Sequence, residues 1–242
     1  MFKGYHNSIN SPLYRGFPNL TFGGNTGTAY SFSRCLLWLD AAYGTNTITN
    51  GANISFWSDR INGVLYTQVT AANQPTYVLS DANFNNFPTI NFGTNLSRFL
   101  SSTTTFSIGS YTLGIIVRST SVSELGNNII GQNADIGFFG GGTNSNVTGY
   151  GFYNANSAYT KSNIEDTSMH IIVANRDCII VDGVNQTSST SPVTLNFTHI
   201  GSNDGNYQAC CVISEILLFD YVMSSTDAIT LSNNINVKYQ KY

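Results

Sequence analysis

The fold is indicated by residues 212–242, VISEILLFDYVMSSTDAITLSNNINVKYQKY, which combine a strand pattern with a helix pattern. The first part is rich in residues that favour strands and contains one acidic residue, Glu215. Ser224 then provides a hydroxyl for the free amides of a first helical turn, and Asp227 follows three residues later. Apolar residues recur at three- or four-residue intervals after that, at Ala228, Leu231, Ile235 and Tyr239. The stretch therefore predicts a strand followed by one short amphipathic C-terminal helix.

From Ser31 onward, short strand-forming runs alternate with turn-forming clusters at intervals of about 8 to 15 residues. Asp182-Gly183 separates two such runs and predicts a tight hairpin, because both residues tolerate the positive φ that such turns require. Hydrophobic residues make up 41% of the chain and charged residues only 10%, so Asn, Ser and Thr must supply most of the surface. We predict an all-β, two-sheet antiparallel sandwich over residues 31–242.

Residues 1–30 differ from the rest of the chain because they show no periodic apolar face. Pro12, Pro18 and several glycines interrupt the segment. We predict an extended N-terminal arm that a partner orders on binding. The alternative is that these residues form a first pair of strands of the same domain.

Four short motifs follow one another between residues 37 and 94. They are Leu37-Trp38-Leu39-Asp40-Ala41, Trp57-Ser58-Asp59, Gln74-Pro75-Thr76-Tyr77 and Phe92-Gly93-Thr94. Together with the strand at 213–220 and the closing helix, they resemble the concanavalin A-like, laminin-G-like jelly-roll superfamily, of the kind found in phage and viral structural proteins. The resemblance implies a concanavalin A-like jelly roll. Because this superfamily includes lectins, glucanases, adhesion modules and virion proteins, the resemblance alone does not select a function.

The charge distribution argues against nucleic acid as a partner. The formal net charge is −3, and the ten Lys and Arg residues are scattered rather than clustered. No window approaches the apolar length of a membrane helix, and the N-terminus lacks a continuous apolar stretch, so we expect synthesis in a cytoplasm without a signal peptide or membrane anchor. Four cysteines without metal-ligand spacing are predicted to be free, buried thiols.

Catalytic side chains are sparse in this sequence. Glucanases of the resembled superfamily carry carboxylates at alternate positions of one strand, whereas Glu215 has its nearest carboxylate along the chain at Asp220, which faces the other side. His170 and His199 fall in or beside strands, His6 lies in the arm, and no nucleophile motif accompanies them. We therefore predict that Glu215 is structural, that no residue is catalytic and that the protein is not an enzyme.

We predict that the protein has no cofactor. Calcium is the one metal that the sequence offers as an alternative. Hard cations need several oxygen ligands, and Asp59, Asp204 and the carbonyl groups of residues 202–206 are the candidates. Many members of the resembled superfamily carry acidic residues after the position of Phe92, where this chain has Gly93-Thr94-Asn95-Leu96-Ser97. Ordinary Asx turns are the alternative for these aspartates.

A sugar site would need exposed aromatic rings beside side chains that hydrogen-bond to hydroxyls. Loop aromatics and nearby polar residues provide both kinds of group. The candidates are Tyr150, Tyr153, Tyr159, Tyr207, Asn144, Asn154, Asn203 and Asp204. Trp38 and Trp57 lie within the motifs of the resemblance and are predicted to be packed inside.

Two functions remain from the sequence. The first is a virion structural protein, assembled in the host cytoplasm, that docks onto other capsid proteins through its arm and self-associates into a homo-oligomer. A capsid decoration protein, a vertex protein and a fibre-associated protein are all compatible with this first function. The alternative is a glycan-binding, lectin-like module that attaches a particle to a surface polysaccharide. A polysaccharide-cleaving enzyme would require two carboxylates on one face, roughly 5 to 10 Å apart.

Overall fold

A computed structural model describes most of the chain after the predicted arm. The described residues are 34–93, 98–121, 128–133, 136–140, 149–154, 157–162, 164, 166–188, 194–202 and 209–242. Side chains are described for these residues except 133, 136, 153–154 and 157–161. The arm predicted at residues 1–30 lies outside the described residues and stays a prediction.

Two antiparallel sheets form the sandwich, each with eight strands among the described residues. Sheet A contains β1 (Cys35–Asp40), β4 (Thr76–Asp81), β5 (Phe87–Asn91), β7 (Thr112–Ser119), β12 (Met169–Ala174), β13 (Ile179–Val181), β14 (Val184–Asn185) and β16 (Cys211–Phe219). Sheet B contains β2 (Phe56–Ser58), β3 (Leu65–Thr67), β6 (Leu100–Ile108), β8 (Asn128–Asn133), β9 (Ile136–Phe139), β10 (Gly151–Asn154), β11 (Ser157–Lys161) and β15 (Leu195–Ile200). The predicted all-β sandwich is confirmed.

The core lies between the inner faces of the two sheets. Strand alternation sends Leu37 and Leu39 of β1 inward, and Trp57 of β2 and Tyr66 of β3 meet them from sheet B. The Tyr66 ring stacks on Phe197 of β15, with 5.3 Å between the ring centroids. Trp57 is fully buried in this core, as predicted. Trp38 is also buried, at 2% exposure, but it lies on the outer face of β1 with Arg60 over its ring and not between the sheets. All four cysteines are free and buried, as predicted.

One helix, α1 (Ser225–Tyr239), lies on the outer face of sheet A and contacts β12, β13 and β14. Ile235 packs over Gly114 of β7, where an added Cβ would lie 4.0 Å from Ile235 Cδ1. The amide of Asp227 donates to the Ser224 hydroxyl at 3.2 Å, and the predicted apolar stripe is buried. The predicted capped helix is therefore confirmed. No helix within the described part of the chain is long and apolar enough to cross a membrane.

The Asp182-Gly183 hairpin is also confirmed. Both residues adopt positive φ, 50° and 76°, between β13 and β14. The Gly183 amide donates to the Ser232 hydroxyl of α1 at 3.1 Å, which joins the turn to the helix. The helix, the hairpin and sheet A therefore form one packed layer.

Replacing Ser224 with alanine is expected to lower the free energy of unfolding by about 1 kcal/mol, because the Asp227 amide then loses its capping acceptor. Ser225→Ala is the matched control, since Ser225 is exposed one residue further along the same turn. Denaturant unfolding of both variants measures the difference. Equal effects in the two variants would contradict the assigned cap.

Candidate functional site

Glu215 lies directly across from a second carboxylate. Asp40 of β1 is the Cα partner of Glu215 of β16, so both side chains stand on the outer face of sheet A, under the end of α1. Because Asp40 stands on a neighbouring strand, the spacing of carboxylates along β16 does not reveal it. This pair is the first candidate for chemistry in the molecule.

Two cations and one phenol surround this carboxylate pair. Lys238 of α1 bonds to Glu215 Oε1 and lies 4.0 Å from Asp40 Oδ1, while Arg60 Nη1 donates to Asp40 Oδ2 at 2.6 Å. The Tyr239 hydroxyl donates to Glu215 Oε1 at 2.8 Å. Glu215 is fully buried and Asp40 is 4% exposed, so a glycosidic bond has no access to either. The predicted structural role of Glu215 agrees with this geometry.

The pKa of Glu215 is raised, first because burial penalises its charged form. The positive charge of Lys238 acts in the opposite direction and compensates only in part. Arg60 also packs over the Trp38 ring, 4.0 Å from its centroid, so its guanidinium covers this side of the cluster. The cluster ties α1 to β16 and β1 through buried charges.

A second titratable cluster closes one end of the sandwich around His170 of β12. Its Nδ1 lies 2.8 Å from Asp182 Oδ2 and its Nε2 lies 2.8 Å from Asp166 Oδ1. The Tyr150 ring packs edge-on against the imidazole, with 5.6 Å between the ring centroids. Lys241 approaches from the C-terminal tail, 4.0 Å from Asp182 Oδ2. These contacts join β12, the preceding loop, the hairpin turn and the tail.

The His170 cluster predicts a specific pH dependence. Burial alone would lower the pKa of His170, but hydrogen bonds and charges from Asp182 and Asp166 outweigh it, so its pKa lies above the ordinary 6.5. The protonated imidazole stabilises the fold fully below about pH 6.5, and this contribution is lost as pH rises through the folded-state pKa. Unfolding free energies of the wild type and of His170→Gln should therefore converge as pH increases from 6 to 9. A constant difference across that range would contradict the assignment.

Of the eight residues predicted to bind glycans, four lie among the described residues. Tyr150 is fully buried and packs in the core, so it is not an exposed ring and its prediction is wrong. Tyr153 and Asn154 lie in β10, and Tyr159 lies in β11. The other four, Asn144, Asn203, Asp204 and Tyr207, lie outside the described residues, and their part in a sugar site stays a prediction.

Asp59, predicted as a calcium ligand, has a structural role in the described fold. Its Oδ1 accepts from the Trp38 amide and its Oδ2 from the Asn62 amide, both at 2.6 Å, and the residue is 3% exposed. The carboxylate thus links β1 to the β2–β3 hairpin. Within the described ranges, no group of three or more His, Cys, Asp or Glu side chains is placed to hold a metal ion. Calcium binding near Asp204 remains a prediction.

The outer face of sheet B differs from that of sheet A because α1 packs on sheet A only. One row of Cα partners crosses sheet B and includes β3, β6, β15, β8 and β9. We call this row the trough; its members are Thr67, Ser101, His199, Gly131 and Gly137. Tyr153 is the Cα partner of Gly137 on the next strand. Thr67 is exposed and Ser101 and His199 are partly exposed, so this half of the trough is reachable from solvent. Gly131 and Gly137 are buried, as are the flanking Leu100 and Ile200, which point inward.

A bulge rich in hydroxyl groups rises beside the trough. Five residue steps of β6, from Ser101 to Phe106, face only two steps of β15, from His199 to Phe197, so residues 102–105 bulge out of the ladder. Their sequence is Ser-Thr-Thr-Thr, and residues 103–105 are exposed. The Phe99 ring lies 5.9 Å from the His199 ring, centroid to centroid. The trough therefore presents hydroxyls, an imidazole and an aromatic ring on a surface reachable from solvent.

The trough could not be located from the sequence, because its members are brought together only by strand register. His199 was predicted to be structural, and Ser101 and Thr67 carry no motif. The alternation of small polar residues with buried apolar ones is the available signal, and it indicates only a solvent-facing sheet.

Comparison with solved structures supports the β-sandwich fold. No protein-family model and no curated protein match the sequence. Among solved structures, domain 4 of AbnA, a GH43 extracellular arabinanase from Geobacillus stearothermophilus in complex with arabinotriose, has a TM-score of 0.56 at 8% identity. The match covers 82% of this chain and 98% of that domain.

Two further structures show the same likeness. The Trypanosoma rangeli sialidase has a TM-score of 0.54 at 13% identity over 88% of this chain, which spans about a third (34%) of the sialidase. An arabinofuranosidase complexed with arabinofuranosyl-alpha-1,2-xylobiose has a TM-score of 0.57 at 11% identity, covering 77% of this chain and 51% of that one. The chain therefore has a β-sandwich of the jelly-roll kind. At these identities, the likeness concerns the fold.

These comparisons correct one prediction. The prediction that the protein is not an enzyme is contradicted, because the sialidase, the arabinanase domain and the arabinofuranosidase belong to glycoside hydrolases. The error arose because one strand's carboxylate spacing was used to exclude catalysis for the whole chain. The exclusion of enzymes is therefore withdrawn.

Proposed function

We propose that this chain is a carbohydrate-binding sandwich domain that serves a protein acting on polysaccharides, and that it binds sugar on the outer face of sheet B. The observation that carries the proposal is the trough itself, a continuous row across five strands on the face that α1 leaves open. Sugar hydroxyls both donate and accept hydrogen bonds, and the groups along the trough do the same. Open sheet faces of this kind suit extended ligands.

The arabinanase domain supports the proposal independently of the trough. Its structure contains arabinotriose, and nearly the whole domain is matched by this chain. The other two neighbours are also glycoside hydrolases. Carbohydrate binding was the alternative function in the sequence analysis, and it now has two separate lines of support. The virion role and docking through residues 1–30 stay predictions.

Retention on immobilised glycans tests the proposal. The whole chain should bind at least one polysaccharide or oligosaccharide on a panel that includes arabinan, arabinoxylan, galactan and sialylated glycans. Bound protein should elute with the free sugar of the same type. Failure to bind any glycan on the panel by a correctly folded chain would contradict the proposed function.

Release of reducing sugar from the same panel separates binding from hydrolysis. Glu215→Gln and Asp40→Asn are the control variants in this hydrolysis assay. Both carboxylates are buried in a packed cluster and are not expected to reach a sugar. Any hydrolysis that the chain performs should therefore survive both substitutions in the fraction that folds. Loss of hydrolysis without loss of folding would contradict the structural assignment of the pair.

A further inference from the structure

We infer that the trough recognises an uncharged oligosaccharide laid across the strands, and not an acidic sugar such as sialic acid. This inference rests on the proposed function and adds the chemical class and direction of the ligand. The sialidase and the arabinanase domain share the fold, so the fold does not choose between acidic and neutral sugars. The charges around the trough distinguish neutral sugars from acidic ones.

The sheet that carries the trough contains almost no charge. Among all residues of its eight strands, Lys161 of β11 is the single Lys, Arg, Asp or Glu. β11 lies at the edge of sheet B, two strands beyond Gly137. Thr67, Ser101 and the two glycines are neutral, and His199 is the one titratable group of the row. The described part of the trough therefore provides no fixed cation.

The arginine nearest in sequence to Phe99 and Ser101 does not supply the trough with a positive charge. Arg98 precedes Phe99, but its guanidinium lies against Gly93, on the segment that follows β5 of sheet A. A carboxylate placed in the trough would lose part of its hydration without gaining an ionic partner, which is unfavourable. Recognition of carboxylates usually relies on a bidentate arginine. An uncharged sugar has no such requirement.

The direction of the ligand follows from the strand register. Neighbouring strands are about 4.8 Å apart, so the exposed part of the trough, the two steps from Thr67 to His199, extends over roughly 10 Å across the sheet. Thr67 and Ser101 place two hydroxyls at one end of the row, His199 stands at its centre, and the two glycines form the other end. An added Cβ at Gly137 would lie 2.5 Å from the Ile130 carbonyl oxygen and 3.2 Å from Asn128 Oδ1, and both glycines are buried, so this end of the row is covered. A short oligosaccharide laid across the strands fits this exposed part of the trough.

Apolar surface adjoins the polar row where sugar rings need it. Phe99 packs beside His199, and Phe56 of β2 is the Cα partner of Thr67 at the end of the row. Leu65, two residues from Thr67 on β3, is 49% exposed. The CH faces of a sugar pack on such groups while its hydroxyls bond to polar neighbours.

The test compares two probes and two matched variants of the full chain by isothermal titration. The probes are arabinotriose, which is neutral, and sialyllactose, which is anionic. Ser101→Tyr fills the exposed part of the trough, between Thr67 and His199, and Ser80→Tyr makes the same change at an exposed position of β4 in sheet A. Thermal unfolding confirms that both variants are folded.

We expect arabinotriose to bind the wild type and Ser80→Tyr equally, Ser101→Tyr to lose detectable binding, and sialyllactose to give no heat. Binding of sialyllactose without arabinotriose would overturn the inference and leave the proposed function standing. Equal arabinotriose binding by all three chains would overturn the trough as the site. If neither probe binds and the glycan panel also gives no retention, both the inference and the proposed function fail.

Discussion

Replacing Lys238 with methionine is expected to lower the free energy of unfolding by about 3–5 kcal/mol at pH 8, because Glu215 is left as an uncompensated charge in a fully buried position. Arg60 bonds to Asp40 on the other side of the pair and does not replace Lys238 in bonding to Glu215. The methionine keeps the length and apolar stem of the lysine, so the loss measures mainly the charge. Denaturant unfolding provides the measurement.

The same variant should respond to pH in a defined direction. Burial already raises the pKa of Glu215, and removal of Lys238 should raise it further. Protonation of Glu215 removes the buried charge, so the variant should regain stability as pH falls and lose it as pH rises through the folded-state pKa.

A double variant, Lys238→Met with Glu215→Gln, is the control for the charge pair. It should recover a large part of the loss at pH 8, because neither partner is then charged. A single variant within about 1 kcal/mol of the wild type, or a double variant no more stable than the single one, would contradict the assigned ion pair.

Gly201→Ala is expected to lower the free energy of unfolding by roughly 2–4 kcal/mol, from backbone strain and a steric clash together. Gly201 has φ = 77°, and an added Cβ would lie 2.3 Å from Cδ1 of the Phe92 ring. Phe92 is fully buried in the core, so its ring cannot move away freely. The clash falls at the end of β15, the strand that carries His199.

Gly51→Ala separates the two causes. Gly51 has φ = 79°, almost the same backbone conformation, but nothing lies within 4 Å of its added Cβ. Its expected loss is about 1 kcal/mol, from backbone strain alone. Equal losses in the two variants would show that Phe92 does not confine Gly201, contrary to the packing described.

Local patterns in the sequence predicted the elements that depend on neighbouring residues. Ser224 and Asp227 define the helix start through contacts three residues apart, and Asp182-Gly183 defines a hairpin by its own backbone preferences. The sandwich followed from the repeated short runs. These features need no information about which strand lies beside which.

The pairing of strands determined the features that the sequence did not predict. Asp40 and Glu215 meet because β1 pairs with β16, and the trough exists because five strands from distant parts of the chain align at one level. Tyr150 was predicted to be an exposed loop aromatic from its polar, glycine-rich surroundings, but it lies under the His170 cluster in the core. Composition around a residue does not report on which face it occupies.

Amide chemical-shift mapping by NMR, with arabinotriose added to the labelled full chain, tests most directly whether sheet B carries the sugar site. The account predicts the largest shifts along the trough, at Thr67, Ser101, Gly131, Gly137 and His199. Shifts confined to α1 and the strands of sheet A beneath it, with none along the trough, would contradict it.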